Sequence, residues 1–239
     1  MFDKAFTEAA VSDWAKRVLG EGLPDDVDPF SFITGAGLKE IAAILSDCRR
    51  STLVDLACGQ GGPGLWLARR IGSDLIGVDF SPVGIAQARE RAMRSAPGIH
   101  AEYRIADAAS TGLSDQSAGG LVCIDAIQLM THQVRVVSEV ARILRPGAVA
   151  VFTTWEDPER LPDLAAVLEA GGLEVEAVEE RRDWSGRERA IFERAAADAP
   201  LYPDDLGLQS LAEEAQRVLP VLDAAVRVVG IARRAPVAA

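Results

Sequence analysis

Residues 59–64 read Gly59-Gln60-Gly61-Gly62-Pro63-Gly64, which sets glycines at a Gly-x-Gly-x-x-Gly spacing. The apolar run Leu53-Val54-Asp55-Leu56 precedes them and a helical pattern over 63–71 follows. A glycine turn between a strand and a helix lets a ligand approach the backbone and the unpaired N–H groups of the helix start. About twenty residues later Asp79 ends the next apolar run, placed to accept hydrogen bonds from a ribose diol. Together these features point to an adenosine-type ligand. The plainer alternative is a tight turn, with Asp79 and Ser81 capping the following helix.

Asp55 narrows the choice of ligand. A carboxylate inside an otherwise buried strand is costly unless a polar or cationic group meets it. A dinucleotide brings a pyrophosphate to this place, whereas a zwitterionic sulfonium brings an amino group that meets the carboxylate directly or through water. Hydrogen bonds from the amides of the glycine loop would also satisfy Asp55, and they are compatible with the same ligand.

These residues resemble a known family. Val54-Asp55-Leu56-Ala57-Cys58-Gly59-Gln60-Gly61 is similar to the first motif of class I S-adenosylmethionine-dependent methyltransferases. Gly77-Val78-Asp79-Phe80-Ser81 resembles the second motif, whose acidic residue binds the ribose hydroxyls while the next side chain lies against adenine. Ile105-Ala106-Asp107-Ala108 resembles the third, in which the Asp and the following N–H read the adenine edge. The stretch Ala141-Arg142-Ile143-Leu144-Arg145-Pro146-Gly147 is similar to the lead into the family's fifth strand.

The resemblance covers residues 50–156 or so. It implies S-adenosyl-L-methionine as cofactor, S-adenosyl-L-homocysteine as product, and a cofactor site of Asp55, Ala57, Gly59, Gln60, Gly61, Asp79, Phe80, Asp107, Ala108 and Asp125. Two departures matter. The aromatic-Asp pair before strand four is replaced by Ala118-Gly119-Gly120, which leaves that strand's register open. Ile124-Asp125-Ala126-Ile127 stands where amide- and amine-methylating branches carry Asn/Asp-Pro-Pro-aromatic, so O- or C-methylation is expected over N-methylation.

Methyl transfer disperses charge as CH₃ passes in line from a sulfonium to a nucleophile, so alignment and desolvation supply much of the acceleration and no metal is required. A base is needed only where the nucleophile must lose a proton. His132, one of two histidines, follows strand four and is the candidate base. It is equally placed to open the helix expected over 132–145. Trp14, Phe32, Gln128, Trp155, Trp184 and Tyr202 are the candidate acceptor contacts. Two other functions stay in view. A nicotinamide-dependent reductase shares the glycine spacing, but Asp55 and the lack of any Lys after residue 39 for a Tyr-x-x-x-Lys pair oppose it. A protein that binds the cofactor without methylating is the other.

The elements that must position these residues follow from periodicity. Apolar runs at 53–56, 75–79, 103–105, 121–124 and 148–152 alternate with helical patterns at 63–71, 82–95 and 132–145. That alternation is the pattern of βαβ units and a parallel sheet covered on both faces. The expected fold is α/β, a Rossmann-like doubly wound sheet of seven mostly parallel strands. A helix follows at 161–170, a half-exposed strand at 173–178, helices at 186–198 and 208–219, and a last strand at 226–231 that the resemblance makes antiparallel. Residues 1–48, with one helix over the first twenty, read as an N-terminal helical lid. Residues 49–239 read as the cofactor domain, with a helical cap inserted at 180–226. Phe30-Ser31-Phe32 would form a further lid wall, and the tail at 235–239 is expected to fray.

Composition bounds the partners. With 25 Lys+Arg against 36 Asp+Glu the net charge is −11, which repels polyphosphate and disfavours a nucleic-acid substrate. The three cysteines fit neither a metal clamp nor a disulfide framework, and no apolar run approaches a membrane span. A bacterial cytoplasmic enzyme acting on a small, fairly apolar acceptor is the expectation, resembling natural-product tailoring enzymes, with a homodimer left open.

Overall fold

The computed structural model describes residues 2–24, 27, 31–96, 98–156 and 163–236. Seven strands among them form one sheet: β1 (Thr52–Leu56), β2 (Asp74–Asp79), β3 (Ala101–Ile105), β4 (Ala118–Ile124), β5 (Leu144–Glu156), β6 (Glu174–Glu180) and β7 (Val226–Arg233). Their order is β3-β2-β1-β4-β5-β7-β6. The first five pair in parallel, and β7 runs antiparallel to both β5 and β6. The chain leaves β1 toward β2 and β3 on one side and returns to β4 on the other, so a crevice opens between β1 and β4 at their carboxyl ends.

Alternate residues of the strands supply two cores. Leu53, Leu75, Val122 and Val151 face one layer, built from α3 (Gly35–Ile44), α4 (Gly62–Ile71) and α5 (Pro82–Ser95). Val54, Leu56, Val78, Leu121, Cys123 and Phe152 face the other, built from α6 (Gln133–Ile143) and α7 (Leu164–Ala170). Near-continuous apolar strands fit a sheet covered on both faces. The doubly wound α/β fold read from the sequence is the observed one. The register of β4, open until now, pairs Leu53 with Gly120, Val54 with Leu121 and Asp55 with Val122.

Among the boundaries that differ from expectation, two have a clear local cause. The first twenty residues form two helices, α1 (Phe2–Val11) and α2 (Asp13–Leu19), because Ser12 takes extended backbone angles and its Oγ accepts the Ala15 N–H at 3.0 Å. The helix expected to run to residue 145 ends at Ile143. Leu144 is already extended and opens β5, as a residue two before Pro146 can be when the position between is barred from helix.

The expected N-terminal unit also divides. Leu38, Ile41 and Leu45 are buried in the same cluster as Leu53, so α3 belongs to the layer over the sheet. Helices α1 and α2 instead pack on α9 (Leu206–Val218), which pairs with α8 (Arg182–Asp198) between β6 and β7. Trp14, Val18, Ile191, Ala195, Leu208 and Ala212 form that satellite core. Phe30 lies outside the described residues. No helix among the described residues is long and apolar enough to cross a membrane.

Candidate cofactor and active site

The turn after β1 bends through three left-handed residues, Ala57 at φ 58°, Gly59 at φ 49° and Gly61 at φ 75°. Gly61 also lacks room for a side chain, since a Cβ there would stand 2.9 Å from that of Ala88. Gly64, one turn into α4, is needed for another reason. A Cβ there would sit 2.1 Å from Asp55 Oδ2, and its N–H is the hydrogen-bond donor to that carboxylate. The strain of Ala57 outside glycine is of the kind that gathers where a backbone is shaped for a ligand.

Asp55 is buried, and among the described residues it has no basic partner. Burial and the neighbouring Asp79 charge push its carboxyl up to about 8, against the pull of the Gly64 N–H. Asp79 closes β2 and ties it to the glycine turn: Oδ2 accepts the Gly59 N–H and Oδ1 the Ser81 N–H, both at 2.8 Å. Burial raises this carboxyl as well. Cys58 lies between the two acids, and burial with their charges keeps its thiol protonated. Both acids border the crevice. Phe80, next to Asp79, is 58% exposed, an aromatic face on the crevice rim. Asp107 makes a short turn after β3 by accepting the Ala109 N–H at 2.7 Å.

Beyond β4, Asp125 takes φ 54° and is held from several sides. Thr153 Oγ1 donates to Oδ1 at 2.6 Å, the Phe32 N–H donates to Oδ2 at 3.1 Å, and the Arg227 guanidinium binds Oδ1. The Gln128 side chain donates to the Asp125 carbonyl at 3.0 Å and accepts from Thr154 Oγ1 at 2.9 Å.

These residues enclose a cavity of about 650 Å³ at the carboxyl ends of β1, β2, β3 and β4. It brings together all ten residues expected at the cofactor, Asp55, Ala57, Gly59, Gln60, Gly61, Asp79, Phe80, Asp107, Ala108 and Asp125, and adds His132 on the far wall. His132 occupies the N-cap position of α6, but its side chain makes no capping bond and is exposed toward the cavity. Leu129, Met130, Arg135 and Val136 surround it.

The six residues expected to touch the acceptor do not line this cavity. Trp14 is buried in the satellite core, with Nε1 donating to Asp198 at 2.8 Å. Trp184 is 2% exposed and lies so tightly against Gly37 that a Cβ there would meet its ring at 2.3 Å. Phe32 stacks on Phe192 with ring centres 4.9 Å apart, and Trp155 packs beside them. Gln128 is spent on Asp125 and Thr154, and Tyr202 stands on the surface. A large aromatic buries its area wherever the fold offers contact, so residue type alone did not separate packing from lining.

Residues 53–147 match the protein family described as a methyltransferase domain. Over that segment the chain is similar to methyltransferase domains. Among curated relatives, a methyltransferase of Streptomyces halstedii, GfsG, is 26% identical over 148 residues, 62% of this chain and 53% of that protein. The chloroplastic tocopherol O-methyltransferase of Arabidopsis thaliana is 28% identical over 103 residues, 43% of this chain and 30% of that one. The match thus spans about half or less of these relatives. Among solved structures, the [4+2]-cyclase SpnF superposes with a TM-score of 0.72 at 18% identity, covering 98% of this chain and 93% of its own. The methyltransferase domain and both flanking helical segments therefore share one fold with that protein.

The methyltransferase domain also has wall residues that its motifs did not announce. Phe6 of α1 lies against Gly59, and its carbonyl accepts from Gln60 Nε2 at 3.3 Å and Gln87 Nε2 at 3.4 Å. Ser31, Leu129, Met130, Thr131 and Arg135 also line it. The segment after β4 was the available signal, because chain leaving a strand's carboxyl end must border the crevice.

Proposed function

We propose that this protein transfers the methyl group of S-adenosylmethionine to an oxygen or carbon of a small, largely apolar acceptor. The observation that carries the reading is Asp55, a buried carboxylate without a cation that faces the same cavity as the glycine turn, Asp79, Phe80 and Asp107. Such a site fits a ligand with an amino group and a sulfonium, and the cavity has room for that ligand and a small acceptor beside it.

In this reading the bound cofactor supplies an electrophilic methyl group. Asp55 would hold its amino group, Asp79 its ribose hydroxyls and Phe80 the adenine, while Asp107 and the Ala108 N–H would read the adenine edge. The backbone of Ala57, Gly59, Gln60 and Gly61 and the residue Asp125 would hold the methionine part. Leu129, Met130 and Val136 exclude water from the acceptor side, which lowers the cost of aligning two reactants for in-line displacement. Where the acceptor is a hydroxyl, His132 takes its proton. Helices α1 and α2, together with α8 and α9, act as the lid and cap over this side, and Phe6 is the lid residue that reaches the cavity. No metal has a role in this scheme.

Titration calorimetry with S-adenosylmethionine, S-adenosylhomocysteine and NADH, read beside formation of S-adenosylhomocysteine over a panel of phenolic, polyketide and isoprenoid acceptors, tests the proposal. Binding of both sulfur ligands and turnover with at least one acceptor is expected. Binding of NADH instead, or tight binding without turnover across the panel, would refute it.

A further inference from the structure

Behind the cavity floor lies a buried charge network. Arg227, the second residue of β7, is 1% exposed along its side chain and reaches both Asp125 and Glu188 of α8, the latter at 3.3 Å. Among the described residues its Nε finds no partner, and its charged partners there are those two carboxylates. Main-chain contacts pin the same position: the Arg227 N–H donates to Ser185 Oγ at 3.0 Å and its carbonyl accepts the Arg181 N–H at 2.7 Å. Glu188 itself is 3% exposed and does not line the cavity.

A buried guanidinium with one unsatisfied donor is tolerated only while its remaining partners stay in place. We propose that Arg227 and Glu188 are positioning residues for the cofactor cavity: Glu188 aims the guanidinium, and the guanidinium holds Asp125 and the left-handed turn that forms the cavity floor. The helical segment between β6 and β7 thereby shapes the cofactor site without touching it. This inference rests on the methyl-transfer reading above.

The network is sensitive to pH. Facing Glu188 are Arg227 from β7, Asp125 from the turn after β4 and Glu214 from α9, with Arg217 beside Glu214. Burial and the two acids outweigh Arg227 and push the Glu188 carboxyl up to about 7. A neutral carboxyl grips the guanidinium less firmly than a carboxylate, so the hold tightens as pH rises through that value.

The test is calorimetric titration of S-adenosylhomocysteine into the wild type, Glu188→Ala, Glu188→Gln and a destabilised control, Ile41→Ala, whose side chain on α3 is buried in the core and does not line the cavity. Glu188→Ala should weaken binding at least tenfold, while the control, compared at similar loss of melting temperature, stays within threefold of the wild type. Glu188→Gln should bind like the wild type at pH 6 and fall severalfold behind it at pH 8. Equal losses in Glu188→Ala and the control, or a constant ratio of Glu188→Gln to wild type across that range, would overturn the inference. A wild type that binds no S-adenosylhomocysteine would instead sink the methyl-transfer reading, and this one with it.

Discussion

Asp55→Asn isolates a carboxylate whose charge the ligand-free fold opposes. Its carboxyl stands at about 8 instead of 3.8, so ionising it in the ligand-free protein costs about 5–6 kcal/mol at about 1.36 kcal/mol per unit. Because the folded value is the raised one, the neutral form is favoured by the fold. Unfolding between pH 4 and pH 8 therefore releases a proton, and stability falls as pH rises through that window by about 1.4 kcal/mol per unit. A cation arriving at Asp55 reverses the preference. If only the ionised carboxylate binds S-adenosylmethionine well, the apparent affinity scales with its ionised fraction, about 1% at pH 6 and about 10% at pH 7. Affinity should then rise nearly tenfold over that unit and level off above pH 8.

Calorimetry in two buffers of different ionisation enthalpy counts the protons directly. The wild type should release close to one proton per ligand bound at pH 7, and Asp55→Asn close to none, with an affinity that is flat from pH 6 to pH 7. The ligand's own amino group titrates near 8, as α-amino groups do, and comparison of the two proteins cancels its contribution. Ligand-free Asp55→Asn should also show a smaller fall in melting temperature between pH 6 and pH 8, the remainder coming from the raised carboxyls of Asp79 and Glu188. A wild-type affinity independent of pH, or equal proton release by both proteins, would refute the assignment of a cationic partner to Asp55.

Gly64→Ala would drive a methyl group into Asp55 Oδ2, so loss of cofactor binding with a stability loss above about 2 kcal/mol is expected in calorimetry and thermal melts. Phe80→Ala removes an exposed ring and should weaken cofactor binding severalfold while leaving the melting temperature within a degree or two. His132→Ala should lower turnover of hydroxyl acceptors while S-adenosylhomocysteine affinity stays unchanged; unaltered turnover removes it as the base. Trp184→Ala empties a fully packed site and should cost about 3–5 kcal/mol of stability in denaturant titrations. Its cofactor affinity at low temperature should stay near wild type, and a selective loss of acceptor binding would restore Trp184 to the acceptor site.

The glycine-turn side of the cavity was legible because its signals are local. Gly59, Gly61 and Gly64 specify one strand-turn-helix junction; Asp79 ends β2 and Asp107 follows the end of β3, and both carboxyl ends must face the crevice in a parallel sheet. Within such a unit, spacing along the chain is nearly spacing in space. The alternation of strands and helices likewise determined the layer order, since each apolar strand needed cover on both faces. Helix ends were less legible, because Ser12 and Leu144 turn on one hydrogen bond and one proline-adjacent residue.

What tertiary structure alone decided is everything carried by distant pairs. Phe6 reaches Gly59 and Gln60 across more than fifty positions, and Arg227 joins Asp125 and Glu188 at separations of 102 and 39. No periodicity encodes such partners. A buried charge is settled by whichever opposite charge the fold brings within reach, and an aromatic such as Trp14 or Trp184 by whichever surface needs filling. The chain's residue types thus determined what this protein is built to hold, while the packing of its flanking helices against the sheet decided which side chains line the cavity.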